Sequence, residues 1–189
     1  MKVRRIKSLE YTIVQMGMLI NIWWIACKLY KNPFKSLRIV SKLLRGFKQM
    51  IGGKKLVRAF KIDGKYAWDM FNPSWPSKGF NKFFKGHLLE IEPLNVNDQI
   101  FRRLVIAITK RCPLKCEHCS EAATLYQKDI LSYDEFVSKI EPYVEGGVGQ
   151  LVYSGGEPLS RFDDLVRLIK HFSSKCNQWI YTSAYGLTL

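Results

Sequence analysis

The sequence predicts an α/β protein whose C-terminal half is built of parallel βαβ units and whose N-terminal half is a basic region of helices and a β-hairpin. Three observations carry that prediction. Short apolar runs at 104–108, 151–153 and 179–182 alternate with segments of helical periodicity, the order expected of parallel strands joined by crossover helices. Asp63-Gly64 stands between two runs rich in Val, Ile, Phe and Tyr, the chemistry of a tight two-residue hairpin turn. The charge is also divided: residues 1–61 hold 15 of the 30 Lys and Arg but only one of the 16 acids, Glu10, so the whole formal excess of +14 is N-terminal.

At 189 residues and 47% apolar content, the chain supports one domain of moderate core with an appendage, and a disordered chain is excluded. The organisation reads as a basic apolar and amphipathic helical region at 1–55, a β-hairpin with an aromatic and Pro-rich connector at 56–100, and βαβ units at 101–189. Residues 11–27 are 17 in a row without a charge. As a helix they reach about 25 Å, short of a hydrocarbon core of about 30 Å. They also contain Gln15 and Asn21, and both flanks are basic, so charge assigns no orientation. A secretory signal, with Ile25-Ala26-Cys27 resembling a lipoprotein processing site, and a spanning helix are both less fitting than an interfacial or protein-packed helix anchored by Trp23 and Trp24.

In the following segment Phe34, Leu37, Val40, Leu44, Phe47 and Ile51 recur at steps of three and four, with Lys35, Arg38, Lys42, Arg45 and Lys48 largely on the other side. This predicts a basic amphipathic helix ended by Gly52-Gly53. An anionic membrane surface is the expected partner of residues 11–51, at the inner face of the membrane of a cytoplasmic protein. RNA is the alternative, and a solvated basic face on a packed helix is the plainest reading.

The hairpin is expected over 56–62 and 65–70. Pro73, Pro76 and Pro93 with Trp75, Phe80, Phe83 and Phe84 predict turns punctuated by aromatics, packed on the next domain. The run 104–108 reads as a strand buried on both faces. Ser132 and Glu135 form a capping box opening a helix with Phe136, Val137 and Ile140 inward, which Pro142 kinks or shortens before Gly146-Gly147. After the strand at 151–153, a helix begins at Ser160 or Arg161 with Asp163 and Asp164 in its first turn and a stripe of Leu165, Leu168, Ile169 and Phe172. The run 179–182 is the third strand.

The chemistry sits in the loop after the first of these strands. Cys112, Cys116 and Cys119 are spaced C-x3-C-x2-C, and three thiols in one short loop point to a metal or iron-sulfur site, since a disulfide framework wants an even, dispersed set. Cys27 and Cys176 stand alone in apolar surroundings and read as free buried thiols. Three thiolates fall one short of a closed four-ligand site, so either another residue completes it, with His118 giving a Cys3His zinc site, or one position stays open. Parallel topology brings the cysteine loop, Gly155-Gly156-Glu157 and Ser183-Ala184 to one sheet edge, where ligands bind in such folds. There the glycines allow backbone to approach a ligand, and the Glu157 carboxylate suits an ammonium.

The cysteine loop, together with Ser154-Gly155-Gly156-Glu157-Pro158, resembles the radical S-adenosylmethionine (SAM) enzyme superfamily over 102–189. The resemblance implies that Cys112, Cys116 and Cys119 hold three irons of a [4Fe-4S] cluster and that SAM chelates the fourth. It implies that Gly155, Gly156 and Glu157 lie at the methionine end of SAM, His118 by the adenine and Ser183 near the ribose. An external electron donor would reduce the cluster, SAM would be cleaved to a 5′-deoxyadenosyl radical, and a hydrogen atom would be taken from a substrate. The implied fold is a partial (β/α) radical-SAM-type barrel, its first three βα units, in a chain that continues further. Two rivals remain: a non-catalytic truncated iron-sulfur or membrane-docking protein that keeps the motif, and an RNA-modifying radical SAM enzyme that uses the basic arm.

Overall fold

The computed structural model describes residues 3–50, 52, 59–68, 72–95 and 100–187. The chain opens with strand β1 (Val3–Ile6) and two long helices, α1 (Ser8–Tyr30) and α2 (Pro33–Met50). Lys31 reverses the chain between them in the left-handed region, φ 54°, and its N–H closes α1 on the Cys27 carbonyl at 2.9 Å. Asn32 then caps α2, its Oδ1 accepting from the Lys35 amide at 2.9 Å, while Pro33 supplies the fixed φ of a first turn. At 23 residues, α1 outruns the uncharged stretch 11–27 at both ends, because Glu10 and Lys28 lie on its surface.

On α2 the inward residues are Ser36, Ile39, Val40 and Leu43 with Phe47 beside them, whereas Phe34, Leu37 and Leu44 face solvent. The apolar stripe expected from the sequence is therefore split, and Ile39 and Leu43 complete its buried part. Ile51 and Gly53 lie outside the described residues; Gly52, φ 62°, follows the helix.

Strands β2 (Ala59–Ile62) and β3 (Lys65–Ala67) form a hairpin about Asp63 (φ 45°) and Gly64 (φ 84°), positive at both turn positions as a tight hairpin requires. The expected strand residues 56–58 and 69–70 lie outside the described residues. The strand that sequence patterning missed is β1, which pairs antiparallel with β2 from Val3↔Ile62 to Ile6↔Ala59 and makes a three-stranded sheet.

The composition of 71–100 predicts turns, but the structure places helix α3 (Lys78–Ile91) there. Ser77 caps it, its hydroxyl accepting from the Phe80 amide at 3.0 Å. Phe80, Phe83, Phe84 and Leu88 are buried against Ile22, Ala26 and Tyr30 of α1 and Ile39, Val40 and Leu43 of α2. The Tyr30 hydroxyl fastens the bundle by donating to the carbonyls of Leu88 (2.7 Å) and Glu92 (2.8 Å).

The second sheet is parallel, in the order β4 (Arg103–Thr109), β5 (Gln150–Gly155), β6 (Asn177–Ile180). Helix α4 (Tyr133–Glu145) follows β4, and a 3-10 turn (Pro158–Arg161) with helix α5 (Phe162–Phe172) follows β5. The capping box forms in full between Ser132 and Glu135. Pro142 does not stop α4, which runs to Glu145. Phe136, Ile140 and Val144 of α4 and Leu165, Leu168 and Phe172 of α5 all pack on Ile106, Ile108, Leu151 and Tyr153. Those four strand residues share one sheet face, by the two-residue alternation of a strand and the pairing Ile106↔Tyr153.

Both helices therefore cover the same face. On the other, Val105 is 57% exposed, which corrects the expectation of a strand buried on both sides: β4 is an edge strand, and Val105 faces solvent. Strand β6 also ends two residues earlier than the apolar pattern suggests, leaving Tyr181, Thr182 and Ser183 in the loop beyond it.

Helix α3 joins the two halves at the N-terminal end of this sheet. A Cβ on Gly79 would stand 2.6 Å from the Asn177 amide nitrogen and 2.7 Å from the Gly149 oxygen, so only glycine lets the helix backbone meet the starts of β5 and β6. Lys82 adds a bond from Nζ to the Val144 carbonyl at 2.6 Å. Helix propensity favours Ala over Gly by about 1 kcal/mol, yet Gly79→Ala is expected to destabilise by about 1–3 kcal/mol, because the methyl has only backbone to push against. A lowered urea midpoint at unchanged slope checks this; a raised midpoint contradicts it.

Candidate functional site

The parallel register brings the ends of β4, β5 and β6 to one edge, and the loops that leave them are bound to each other. Gly155 ends β5 at φ 116° opposite Thr109, and a Cβ there would lie 2.4 Å from the Thr109 oxygen. On Gly156 it would lie 2.2 Å from the Arg111 oxygen. The room left by the missing side chains is filled by the chain itself. The Gly156 amide donates to the Thr109 carbonyl and the Glu157 amide to the Arg111 carbonyl, both at 2.8 Å. The glycine turn is thus fastened to the root of the cysteine loop, one residue before Cys112.

Glu157 is 3% exposed. Its Oε1 accepts from the Leu159 amide (3.0 Å) and the Thr182 hydroxyl (2.5 Å), and its Oε2 from the amide (2.8 Å) and hydroxyl (2.6 Å) of Ser183. Burial alone would raise the pKa of this carboxyl, but the bonds from Ser183, Thr182 and Leu159 outweigh it and hold the group below its ordinary value. Both hydroxyls relay the interaction, Thr182 Oγ1 accepting from the Ala184 amide and Ser183 Oγ from the Tyr185 amide. Glu157 and Ser183, sequence-distant candidates, therefore meet directly, and Thr182 joins them.

Two further braces were not among the candidates. Asp129 accepts from the Thr109 hydroxyl (2.9 Å), the Lys110 amide (2.7 Å) and Arg111 Nε (3.0 Å). Burial would raise its pKa; these bonds hold it low instead. Arg161 donates to the Ile108 carbonyl (3.1 Å), the Leu131 carbonyl (2.7 Å) and Asp164 (2.7 Å), and so fixes the end of β4 to the starts of α4 and α5. Asp129, Arg161 and Arg111 line an open cavity of about 610 Å³ on this edge. A lone acid in a polar loop and an Arg just before a helix are weak patterns, which is why spacing did not single them out.

Beyond this root the loop faces solvent. Cys112 and Cys119 are half-buried, Cys116 and His118 are exposed, and all three thiols are free. The Tyr126 amide donates to the Lys110 carbonyl at 2.9 Å and its hydroxyl to the Leu114 carbonyl at 3.1 Å, which ties the middle of the loop back to its base. Among the described residues no three Cys, His, Asp or Glu side chains converge into a metal-holding group. The donor set fits an iron-sulfur cluster in kind and number: three unpaired thiols within eight residues, on a fixed root. Gathering them requires the outer part of the loop to close. Cys176 is apart, buried in the core, where burial pushes its thiol up to about 11.

Residues 106–183 match the sequence pattern of the Radical SAM superfamily. The chain is 42% identical over 71 residues to a PqqA peptide cyclase of Bradyrhizobium diazoefficiens, covering 37% of this chain and 18% of that protein. It is 36% identical over 88 residues to a PqqA peptide cyclase of Streptomyces rochei, covering 45% and 24%. It is 38% identical over 78 residues to a GTP 3',8-cyclase of Lactiplantibacillus plantarum, covering 39% and 24%. The chain thus spans about a fifth to a quarter of the length of these relatives. No solved structure matches it.

Because the folded Glu157 carboxyl lies below its ordinary value of 4.5, its contribution to stability is complete above that value and is lost as pH falls through the folded pKa. Glu157→Gln turns an acceptor into a group that also donates, toward the Ser183 and Thr182 donors. It is expected to cost about 2–3 kcal/mol at neutral pH and to flatten the acid limb of the stability profile relative to wild type. Denaturation midpoints measured across the acid range check both; parallel profiles would contradict the assignment.

Proposed function

Because the chain belongs to the radical SAM superfamily through residues 106–183, we propose that it carries the cluster-binding part of a SAM-dependent radical enzyme, with Cys112, Cys116 and Cys119 as the thiolate ligands of a [4Fe-4S] cluster. When bound, the cluster and SAM supply one-electron reductive cleavage of SAM and hydrogen-atom abstraction from a substrate, with electrons from an external donor. The observation that carries the reading is the fastening of the cysteine loop: the amides of Gly156 and Glu157 hold the carbonyls of Thr109 and Arg111, so the backbone that leads into Cys112 is held against the glycine turn.

The chain's own residues act by placement. Asp129 and Arg161 keep the end of β4 rigid, and Glu157 holds the loop after β6 against the turn after β5. In this reading Gly155, Gly156 and Glu157 shape the wall on which the methionine end of SAM rests, through backbone groups more than through a free carboxylate. Ser183 borders the same wall, and His118, exposed next to Cys119, is the residue available to lie along the adenine. The sequential strand order and the two helices on one face support the first βα units of a barrel, whose Val105 and Val152 side would look inward. Cysteine chemistry of this kind belongs in a reducing compartment, which supports a cytoplasmic setting. The relatives named for peptide cyclisation and for a GTP cyclisation differ in substrate class, so the shared part is the cofactor chemistry.

Anaerobic reconstitution with iron and sulfide is expected to load about four irons per chain, as one [4Fe-4S] cluster requires, and to give a reduced-state EPR signal that changes on adding SAM. Replacing Cys112, Cys116 and Cys119 together by Ala is expected to abolish iron and sulfide retention while leaving the helical content intact. A colourless wild-type protein that retains one zinc would overturn the proposal in favour of the Cys3His site with His118.

A further inference from the structure

We infer that the outward face of α1 is a monotopic membrane interface, which seats the protein on an anionic bilayer surface with the helix lying in the headgroup plane. Leu9, Ile13, Met16, Ile20 and Trp24 are 73, 61, 56, 52 and 55% exposed. They follow one another at steps of four, three, four and four, so at 3.6 residues per turn they form one stripe about 23 Å long. Single exposed apolar side chains are ordinary on a protein surface, but five large ones in a continuous line are not. Leu9–Tyr30 is also long and apolar enough to cross a membrane by length and composition.

The opposite face of the same helix decides between crossing and lying flat. Val14, Ile22, Ala26 and Tyr30 are 6, 1, 0 and 9% exposed, the last three in the core shared with α2 and α3. Asn21 accepts from Trp75 Nε1 at 2.8 Å, and Tyr30 donates to two carbonyls at the end of α3. A spanning helix would surrender that packing and turn Asn21 toward lipid. A helix lying in the interface gives up nothing, because only its already exposed stripe enters the acyl boundary, by about 5–10 Å.

The surroundings of the stripe select the occupant. Glu10, the one acid in residues 1–61, has both oxygens engaged by Arg4 at 2.6 and 2.7 Å. Lys28 stands 5.9 Å from the centre of the Trp24 ring, a cation beside an aromatic of the kind that anchors helices at the headgroup level. On α2, Phe34 and Leu37 are 85 and 61% exposed beside Arg38, with Lys42, Arg45 and Lys48 also at the surface. An apolar line with Lys28 at its end, in an N-terminal region of net charge +14, complements anionic headgroups over acyl chains. A second copy would bring the same N-terminal excess of +14 against itself, which opposes self-association through this face. RNA would satisfy the cations but leave Leu9, Ile13, Met16 and Ile20 without a partner. The inference stands apart from the cluster chemistry, and its test does not require a loaded cofactor.

Vesicle flotation of the full chain tests it. The wild type is expected to float with vesicles of phosphatidylcholine mixed with phosphatidylglycerol, to float much less with phosphatidylcholine alone, and to be released progressively by salt. Ile13→Asp together with Ile20→Asp is expected to weaken binding at least about tenfold, since each large apolar side chain carried into the acyl boundary contributes on that scale. Circular dichroism is expected to be unchanged, because both positions are exposed. Arg38→Glu with Arg45→Glu is expected to remove the preference for phosphatidylglycerol. A second measurement needs no destabilising change: brominated lipid is expected to quench tryptophan emission of the wild type more than that of Trp24→Phe. Wild type that floats with neither vesicle, equal flotation of wild type and the Asp variant, a dimer that the Asp variant abolishes, or salt-dependent binding to an RNA hairpin with no vesicle binding would each overturn the inference.

Discussion

A carboxylate withdrawn from water is costly unless its oxygens are filled by good donors, and Glu157 meets that condition in a way that shapes its whole end of the molecule. Leu159, Thr182 and Ser183 saturate its two oxygens. To do so, the loop leaving β6 must lie against the turn leaving β5. The same turn, through the amides of Gly156 and Glu157, holds Thr109 and Arg111 at the exit of β4. One buried charge and two glycines therefore lock three strand ends together, and the cysteine loop springs from that lock. Asp129 and Arg161 complete it from the helix side of the sheet.

The two ends of the parallel sheet have different work. At the N-terminal end, α3 presses its backbone on Gly149 and Asn177 through Gly79, a backbone-to-backbone contact that joins the helical bundle to the βα units and serves stability. At the C-terminal end lie polar side chains and the loop that carries the three free thiols, where ligand sites occur in parallel α/β folds. The helical bundle faces outward with a surface of another kind, an apolar stripe in a strongly basic setting. The molecule thus separates a polar, thiol-bearing edge from an apolar and basic helical face, with α3 packed between them.

Much of the C-terminal fold was legible because its patterns are short-range. Apolar runs gave the strands, Ser132 with Glu135 gave the start of α4, and the motif residues Cys112, Cys116, Cys119 and Gly155-Gly156-Glu157 marked the edge. What stayed hidden depends on partners distant in sequence. Val3–Ile6 forms a strand because Ala59–Ile62 lies beside it, and four residues alone carry no such information. Helix α3 was masked by Pro73, Pro76 and Pro93, which read as turn formers but flank the helix at Lys78–Ile91 rather than interrupt it. The glycine pair invited the idea of an approaching ligand, and the backbone that approaches is that of Lys110 and Arg111. Asp129 became visible only through the groups it receives.

The bonds at its root predict a cysteine loop that is rigid at Thr109 to Arg111 before any cofactor binds and freer in its outer part. Native-state amide hydrogen exchange on the unloaded protein tests this most directly. The amides of Gly156, Glu157 and Ser183 are expected to exchange with the slow core of the parallel sheet, and those of Cys116 to Cys119 orders of magnitude faster. Equal, fast exchange at all of these positions would contradict the claim and leave the loop without a preformed seat.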